Sequence, residues 1–133
     1  MPLPVPAITA DTEAFWTSGR DGRLLITRCD ACGFWIHPPG PRCPACLSDR
    51  VTPRAVSGHG RVYSFTINRR AWEPGLKVPY VIAVVELDEQ PGLRLLTNIV
   101  GCPVDSVAID LPVRIAFEQR GEAFLPVFTR ADD

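Results

Sequence analysis

With 133 residues, 46% apolar and 22% charged, the sequence has the size and composition of one globular domain, or of one domain with a small appendage. No apolar run nears the ~20 residues needed to span a bilayer, and the first residues (MPLPVPAITADTEAF) lack the basic start and apolar stretch of a secretion signal, so the expected location is the cytoplasm. The net charge of −1 hides an asymmetry, since residues 1–70 carry nine Arg against five acids and residues 71–133 five cations against ten acids. Two solvated surfaces are the plain reading of that split, and a basic face toward an anionic partner is the other.

Residues 1–8 are Pro-rich and read as extended. A short helix is expected over about 11–19, capped by Thr9 or Asp11 and stopped by Gly19 or Gly22, with Phe15 and Trp16 docking it. Strands are expected at 23–28, at Phe34–Ile36 and at 51–56. From residue 58 the signals are all β. In GHGRVYSFTIN the alternation sets Tyr63, Phe65 and Ile67 on one face and Val62, Ser64 and Thr66 on the other. YVIAVVELDE is a nearly continuous apolar run, as expected for a strand covered on both faces. LRLLTNIVG pairs with it as a hairpin across the Gln90-Pro91-Gly92 turn, and CPVDSVAID holds a helical turn. PVRIAFEQ turns Val113, Ile115 and Phe117 inward. AFLPVFTR closes the fold, with Pro126 placing it at an edge or bulge, before a frayed ADD tail. The expected fold is mainly β: an N-terminal extension and helix over 1–22, a rubredoxin-like zinc ribbon over 23–56, and a five-stranded barrel of the oligonucleotide/oligosaccharide-binding type (OB-fold) over 57–133. A small sandwich is the competing architecture.

The sharpest chemical signal is Cys29-Asp-Ala-Cys32-Gly followed by Cys43-Pro-Ala-Cys46, with ten residues between Cys32 and Cys43. A two-residue gap lets both sulfurs of a pair reach one ion, and Gly33 suits the left-handed position that a metal knuckle needs. Cys29, Cys32, Cys43 and Cys46 are therefore expected to hold one structural metal ion, with zinc favoured and iron the alternative. Four sulfurs leave no open position for catalysis. A disulfide framework does not suit an unexported chain, and a redox dithiol would call for a thioredoxin-like βαβ context. His37 and His59 are expected at the surface or in turns, and Cys102 as an inert, partly buried thiol.

None of the common catalytic motifs is present. Glu86, Asp88 and Glu89 read as a solvated hairpin end. The loop Arg69-Arg70-Ala71-Trp72-Glu73-Pro74-Gly75-Leu76-Lys77 mixes cations with a Trp, which suits a phosphate-bearing ligand or a partner surface, so Arg69, Arg70, Trp72 and Lys77 are the candidate contact residues. Trp16, Trp35 and Trp72 are candidates for one sticky face. Nucleic acid is the weaker partner class, because the chain lacks a cationic footprint and Tyr63 and Phe65 alternate as core residues would.

The order of these parts resembles a known family. Phe15-Trp16, Arg28-Cys29-Asp-Ala-Cys32-Gly, Cys43-Pro-Ala-Cys46, Gly60-Arg-Val-Tyr-Ser-Phe-Thr, Val78-Pro-Tyr80-Val-Ile-Ala-Val-Val-Glu86-Leu and Arg94-Leu-Leu-Thr-Asn98-Ile-Val-Gly101 are similar to small zinc-ribbon/OB-fold proteins found with acyl-CoA enzymes. The family was long called a domain of unknown function. Asp110 stands where it often has Gly. The resemblance implies a non-catalytic accessory subunit of a thiolase-like acyl-CoA enzyme, including steroid side-chain acyl-CoA aldolases, that helps bind acyl-CoA. Catalytic residues then belong to the large partner, and only the four cysteines carry over. The alternatives are an independent acyl-CoA-binding protein and a single-stranded nucleic-acid-binding OB protein.

Overall fold

A computed structural model describes residues 5–72 and 74–131. The expectations for residues 1–4, for Glu73 and for Asp132 and Asp133 lie outside the described residues. The helix α1 is only Glu13–Thr17, entered at Thr12 and continued by a 3-10 turn over Ser18–Asp21 that Gly22 ends in the left-handed region. It is shorter than the 11–19 expected, and neither Thr9 nor Asp11 caps it. Phe15 packs against the main core, and Gly19 lies so close to the sheet that a Cβ there would sit 2.5 Å from Phe117 and Phe124.

The strands β1 (Leu25–Cys29), β2 (Trp35–Ile36) and β3 (Val51–Ala55) form a three-stranded antiparallel ribbon in the order β2-β1-β3. The strands β4 (His59–Asn68), β5 (Tyr80–Leu87), β6 (Arg94–Ile99), β7 (Pro112–Arg120) and β8 (Ala123–Arg130) close into a barrel in the order β4-β5-β6-β8-β7. A 3-10 turn at Val104–Ser106 precedes β7. This is the expected five-stranded closed barrel, and the sandwich alternative falls away because the sheet closes on itself.

Ribbon and barrel share one core. Leu24, Ile26 and Trp35 belong to the same buried cluster as Val62, Val81, Val85, Leu95, Val113 and Phe128. Each such side chain contributes about 1.5–3 kcal/mol of burial. Side-chain bonds stitch the joint. The Gln90 amide accepts from the Trp35 N–H at 2.9 Å and donates to the Trp35 carbonyl at 3.0 Å, and Glu89 Oε2 accepts from the Ser57 N–H at 2.7 Å. The hairpin end read as merely solvated is thus a clasp, in which Gln90 stands in for a strand neighbour of β2.

Four further expectations are corrected. The β4–β5 ladder passes from Val62↔Val85 directly to Ser64↔Val84, so Tyr63 is the extra residue of a β-bulge. Val62 is therefore buried, Phe65 and Ile67 still pack inward, and Tyr63 is 49% exposed under the Arg94 guanidinium, 3.7 Å from its ring centroid. Strand β5 is not covered on both faces: Val81, Ala83, Val85 and Leu87 are buried while Ile82 and Val84 remain partly exposed. The three tryptophans form no common face, since Trp35 is in the core and Trp72 is 66% exposed. Pro126 is at no edge. It pairs with Phe117 inside the closed barrel, and its carbonyl accepts from Thr97 Oγ1 at 2.8 Å. Its missing N–H faces the β6–β8 seam, where one parallel pair, Ile99↔Phe128, is formed.

Candidate metal centre

Cys29 ends β1 and Cys32 follows three residues later in the first knuckle; Cys43 and Cys46 form the second, in the loop between β2 and β3. The backbone repeats. Gly33 N–H donates to the Cys29 carbonyl at 2.9 Å, and Leu47 N–H to the Cys43 carbonyl at 2.8 Å. The Cys32 N–H points at Cys29 Sγ at 3.4 Å, and the Ala45 N–H at Cys43 Sγ at 3.3 Å. Gly33 takes φ 80° and Leu47 φ 67°, so the left-handed position expected of Gly33 occurs in both knuckles.

All four sulfurs lie within 4.8 Å of one another, with Cys29–Cys46 at 3.5 Å and Cys32–Cys43 at 3.6 Å. A tetrahedron with Zn–S bonds of ~2.3 Å has sulfur–sulfur edges of about 3.8 Å, so the donor set fits a single ion. Cys29 and Cys43 are buried, while Cys32 and Cys46 are exposed. The Cys32 N–H, before other contacts, holds the Cys29 thiol down to about 6. Cys32 is pushed up to about 12: the Phe34 N–H opposes this, but burial and the three other sulfurs outweigh it. One sulfur that ionises readily beside one that resists suits a cluster whose protons a divalent cation displaces.

The first knuckle is tied to the sheet. Arg28 Nε donates to the Gly33 carbonyl at 2.9 Å and its guanidinium stacks over Trp35 at 4.6 Å. Asp30 accepts from Thr52 Oγ1 at 2.6 Å and from Arg54 at 3.1 Å, and these bonds lower its pKa. His37 is not a ligand. Its ring lies 4.9 Å from that of Phe15 and burial lowers its pKa. Together with Asp11, Thr27 and Pro53 it lines a cavity of about 20 Å³, which is water-sized. Cys102 is partly buried against the core, as expected.

The candidate contact loop is ordered by Asn68, whose Oδ1 accepts from Trp72 Nε1 at 3.2 Å and whose amide donates to the Arg70 carbonyl at 2.9 Å. The Arg70 guanidinium stacks on Trp72 at 4.4 Å. Arg69 pairs with Asp105 at 3.7 Å, and Lys77 is exposed. The loop and the cysteine cluster belong to different parts of the fold and make no joint site. Asp110, at φ 67°, occupies a left-handed turn, a conformation that glycine adopts without strain, and its carbonyl accepts from Arg61 at 3.1 Å.

Residues 16–52 match a family described as the ChsH2 rubredoxin-like zinc ribbon domain, and residues 53–118 match the ChsH2 C-terminal OB-fold domain. A DUF35 domain-containing scaffold protein of Methanothermobacter thermautotrophicus is 35% identical over 72% of each chain. The chain belongs to the DUF35 family. Another relative, named as a probable enoyl-CoA hydratase alpha subunit of Thermomonospora curvata, is 41% identical over 96% of this chain. This chain spans only 40% of that protein's length. A benzoylsuccinyl-CoA thiolase subunit of Thauera aromatica is 32% identical over 64% of this chain and 57% of its own. Among solved structures, a chain of an Ltp2-ChsH2(DUF35) aldolase superposes with TM-score 0.83 at 42% identity, covering 96% of this chain and 99% of that one. Among the described residues of this DUF35 chain, no helix is long and apolar enough to cross a membrane.

Proposed function

We propose that the chain is the non-catalytic accessory subunit of a cytoplasmic thiolase-like acyl-CoA enzyme, of the kind that cleaves steroid side-chain acyl-CoA by retro-aldol chemistry. The match over 99% of the chain from the Ltp2-ChsH2(DUF35) aldolase carries this reading, and the thiolase-subunit relative supports it. The working parts are a ribbon over 23–56 and a barrel over 57–133. Zinc, rather than iron, fills the four-sulfur site and stiffens the ribbon. It takes no part in the reaction, because Cys29, Cys32, Cys43 and Cys46 supply all four ligands of a tetrahedron. The loop residues Arg69, Arg70, Trp72 and Lys77 serve as contacts to the partner or to acyl-CoA phosphates.

Co-expression with a thiolase-like protein from the same genome tests the reading. A stable hetero-oligomer with acyl-CoA lyase or acyltransferase activity, absent from either chain alone, is the expected result. Recovery of two separate proteins overturns it. One equivalent of zinc by elemental analysis and a colourless protein are expected, whereas visible iron–thiolate absorption would favour iron. A second reading draws on the ordered cationic loop, which suits a nucleotide phosphate: an independent acyl-CoA-binding protein. Micromolar binding of acyl-CoA to the isolated chain by calorimetry would favour it.

A further inference from the structure

The sequence of β5 is largely apolar on both alternations, as in a strand that is covered twice, yet the chain covers only one side, and β6 adds one apolar residue, Leu96, to the outward set of Arg94, Leu96 and Asn98. The inner set is buried. On the outer face Leu96 is 76% exposed, beside its register partner Val84 and near Ile82, both partly exposed. An outward position in a sheet with one wet face is ordinarily polar. Exposing a contiguous apolar patch in mid-strand is the mark of a surface that another molecule covers. At one end the patch is bounded by Tyr63 under Arg94, which also bonds Glu86 at 3.2 Å. At the other end β4 and β5 run into the loop that carries Arg70, Trp72 and Lys77.

We propose that this outer face of β5 and β6, centred on Leu96, Val84 and Ile82, docks the large enzyme subunit through a surface with an apolar centre and an acidic edge. The proposal rests on the accessory-subunit reading and locates its interface. The outside of a closed barrel is convex, whereas small ligands take concave sites. A nucleic acid would need cations at the centre and bare aromatic faces; here the centre is aliphatic and Tyr63 and Trp72 each carry a guanidinium on one face. An aliphatic centre with Tyr, Trp and Arg at its border is the make-up of a protein interface. Charge selects among proteins. Among the described residues Arg70 and Lys77 have no acidic partner, and the carboxylate of this face, Glu86, is already engaged by Arg94 and the Gly92 N–H. Among its described residues this face of a second copy would bring no free acid to those cations, whereas an acidic-edged partner would.

The test uses the full chain with a thiolase-like protein from the same genome. Leu96→Glu should weaken the complex by about 30-fold or more, with the circular dichroism and melting temperature of the free chain unchanged. Leu96→Thr, which keeps a strand-forming side chain, should weaken it in the same direction. Ile109→Glu, at a 57% exposed apolar residue in the loop before β7 rather than on β5 or β6, should leave binding within about threefold. Lys77→Glu should slow association and flatten its salt dependence. Amides of 94–99 should gain hydrogen-exchange protection on complex formation. If the wild-type complex forms and Leu96→Glu binds as well as Ile109→Glu, the face is wrong and the subunit reading stands. If no wild-type complex forms, both fall. A dimer of the free chain that Leu96→Glu dissociates would overturn the choice of partner in favour of a second copy.

Discussion

The two metal knuckles share a backbone and differ in what holds it. The first grows out of β1: Gly33 fills the left-handed position, Arg28 clamps its carbonyl, and Asp30 anchors to Thr52 and Arg54 on β3. The second sits in a loop. Leu47 fills the same position at φ 67° and is 69% exposed, and its neighbours are the Arg42 guanidinium on its carbonyl at 3.1 Å and the Cys43 N–H on the Ser48 carbonyl at 2.9 Å. A left-handed non-glycine residue costs about 1–2 kcal/mol. The ladder builds one knuckle, and the ion must hold the other against local strain.

Removing the ion is the largest way to break this pairing. Metal binding contributes on the order of 10 kcal/mol to such modules. Chelation or Cys43→Ser should therefore erase hydrogen-exchange protection around the second knuckle first, leave partial protection in β1, and preserve the barrel's signals. Equal loss in both knuckles would contradict the asymmetry. Next comes Gln90→Ala, which strips both backbone groups of Trp35 and should cost about 2 kcal/mol by denaturant titration, loosening β2 beside the first knuckle but not the second. Smaller still, Gly33→Ala should cost about 1 kcal/mol. Leu47→Gly should do the opposite and stabilise by a few tenths, about 0.5 kcal/mol, since relief of strain outweighs the added freedom of the unfolded chain. If both substitutions destabilise equally, the second knuckle is not strained.

The smallest effect is a pH dependence beside the first knuckle. Burial lowers the His37 pKa below its ordinary 6.5. The unfolded chain therefore binds more protons just below that value, so this contribution is complete above about pH 6.5 and declines as pH falls toward the folded value. Comparing wild type with His37→Gln at acid and neutral pH isolates it from protonation of the sulfur ligands. An identical pH slope in the two proteins would remove His37 from the account.

The parts legible in the sequence are those that depend on spacing. Two Cys-x-x-Cys pairs specify a shared ion whatever surrounds them, and the turn at Gln90-Pro91-Gly92 punctuates the strands where the structure does. Tyr63 was illegible because a bulge shifts the alternation by one residue, and alternation alone cannot reveal an inserted residue. Ile82 and Val84 read as doubly covered because the composition of β5 is that of a covered strand, and only the fold shows that the chain supplies no second cover. Gln90 gave no signal beyond its turn, since a glutamine that replaces a strand's hydrogen bonds looks like any polar loop residue. The candidate loop was legible as a cluster of cations and a Trp, but the part of Asn68 in ordering it was not.

The shared core has a consequence for dissecting the molecule. The two family matches meet between residues 52 and 53, inside β3 and across a core to which Leu24, Ile26 and Trp35 contribute from one side and Val62, Val85 and Leu93 from the other. A cut at that seam would yield two fragments, each with an unroofed apolar surface, rather than two proteins. For transplantation into another scaffold, or for truncation to a minimal partner, the indivisible piece begins ahead of Leu24 and includes both the ribbon and the hairpin end that grips it.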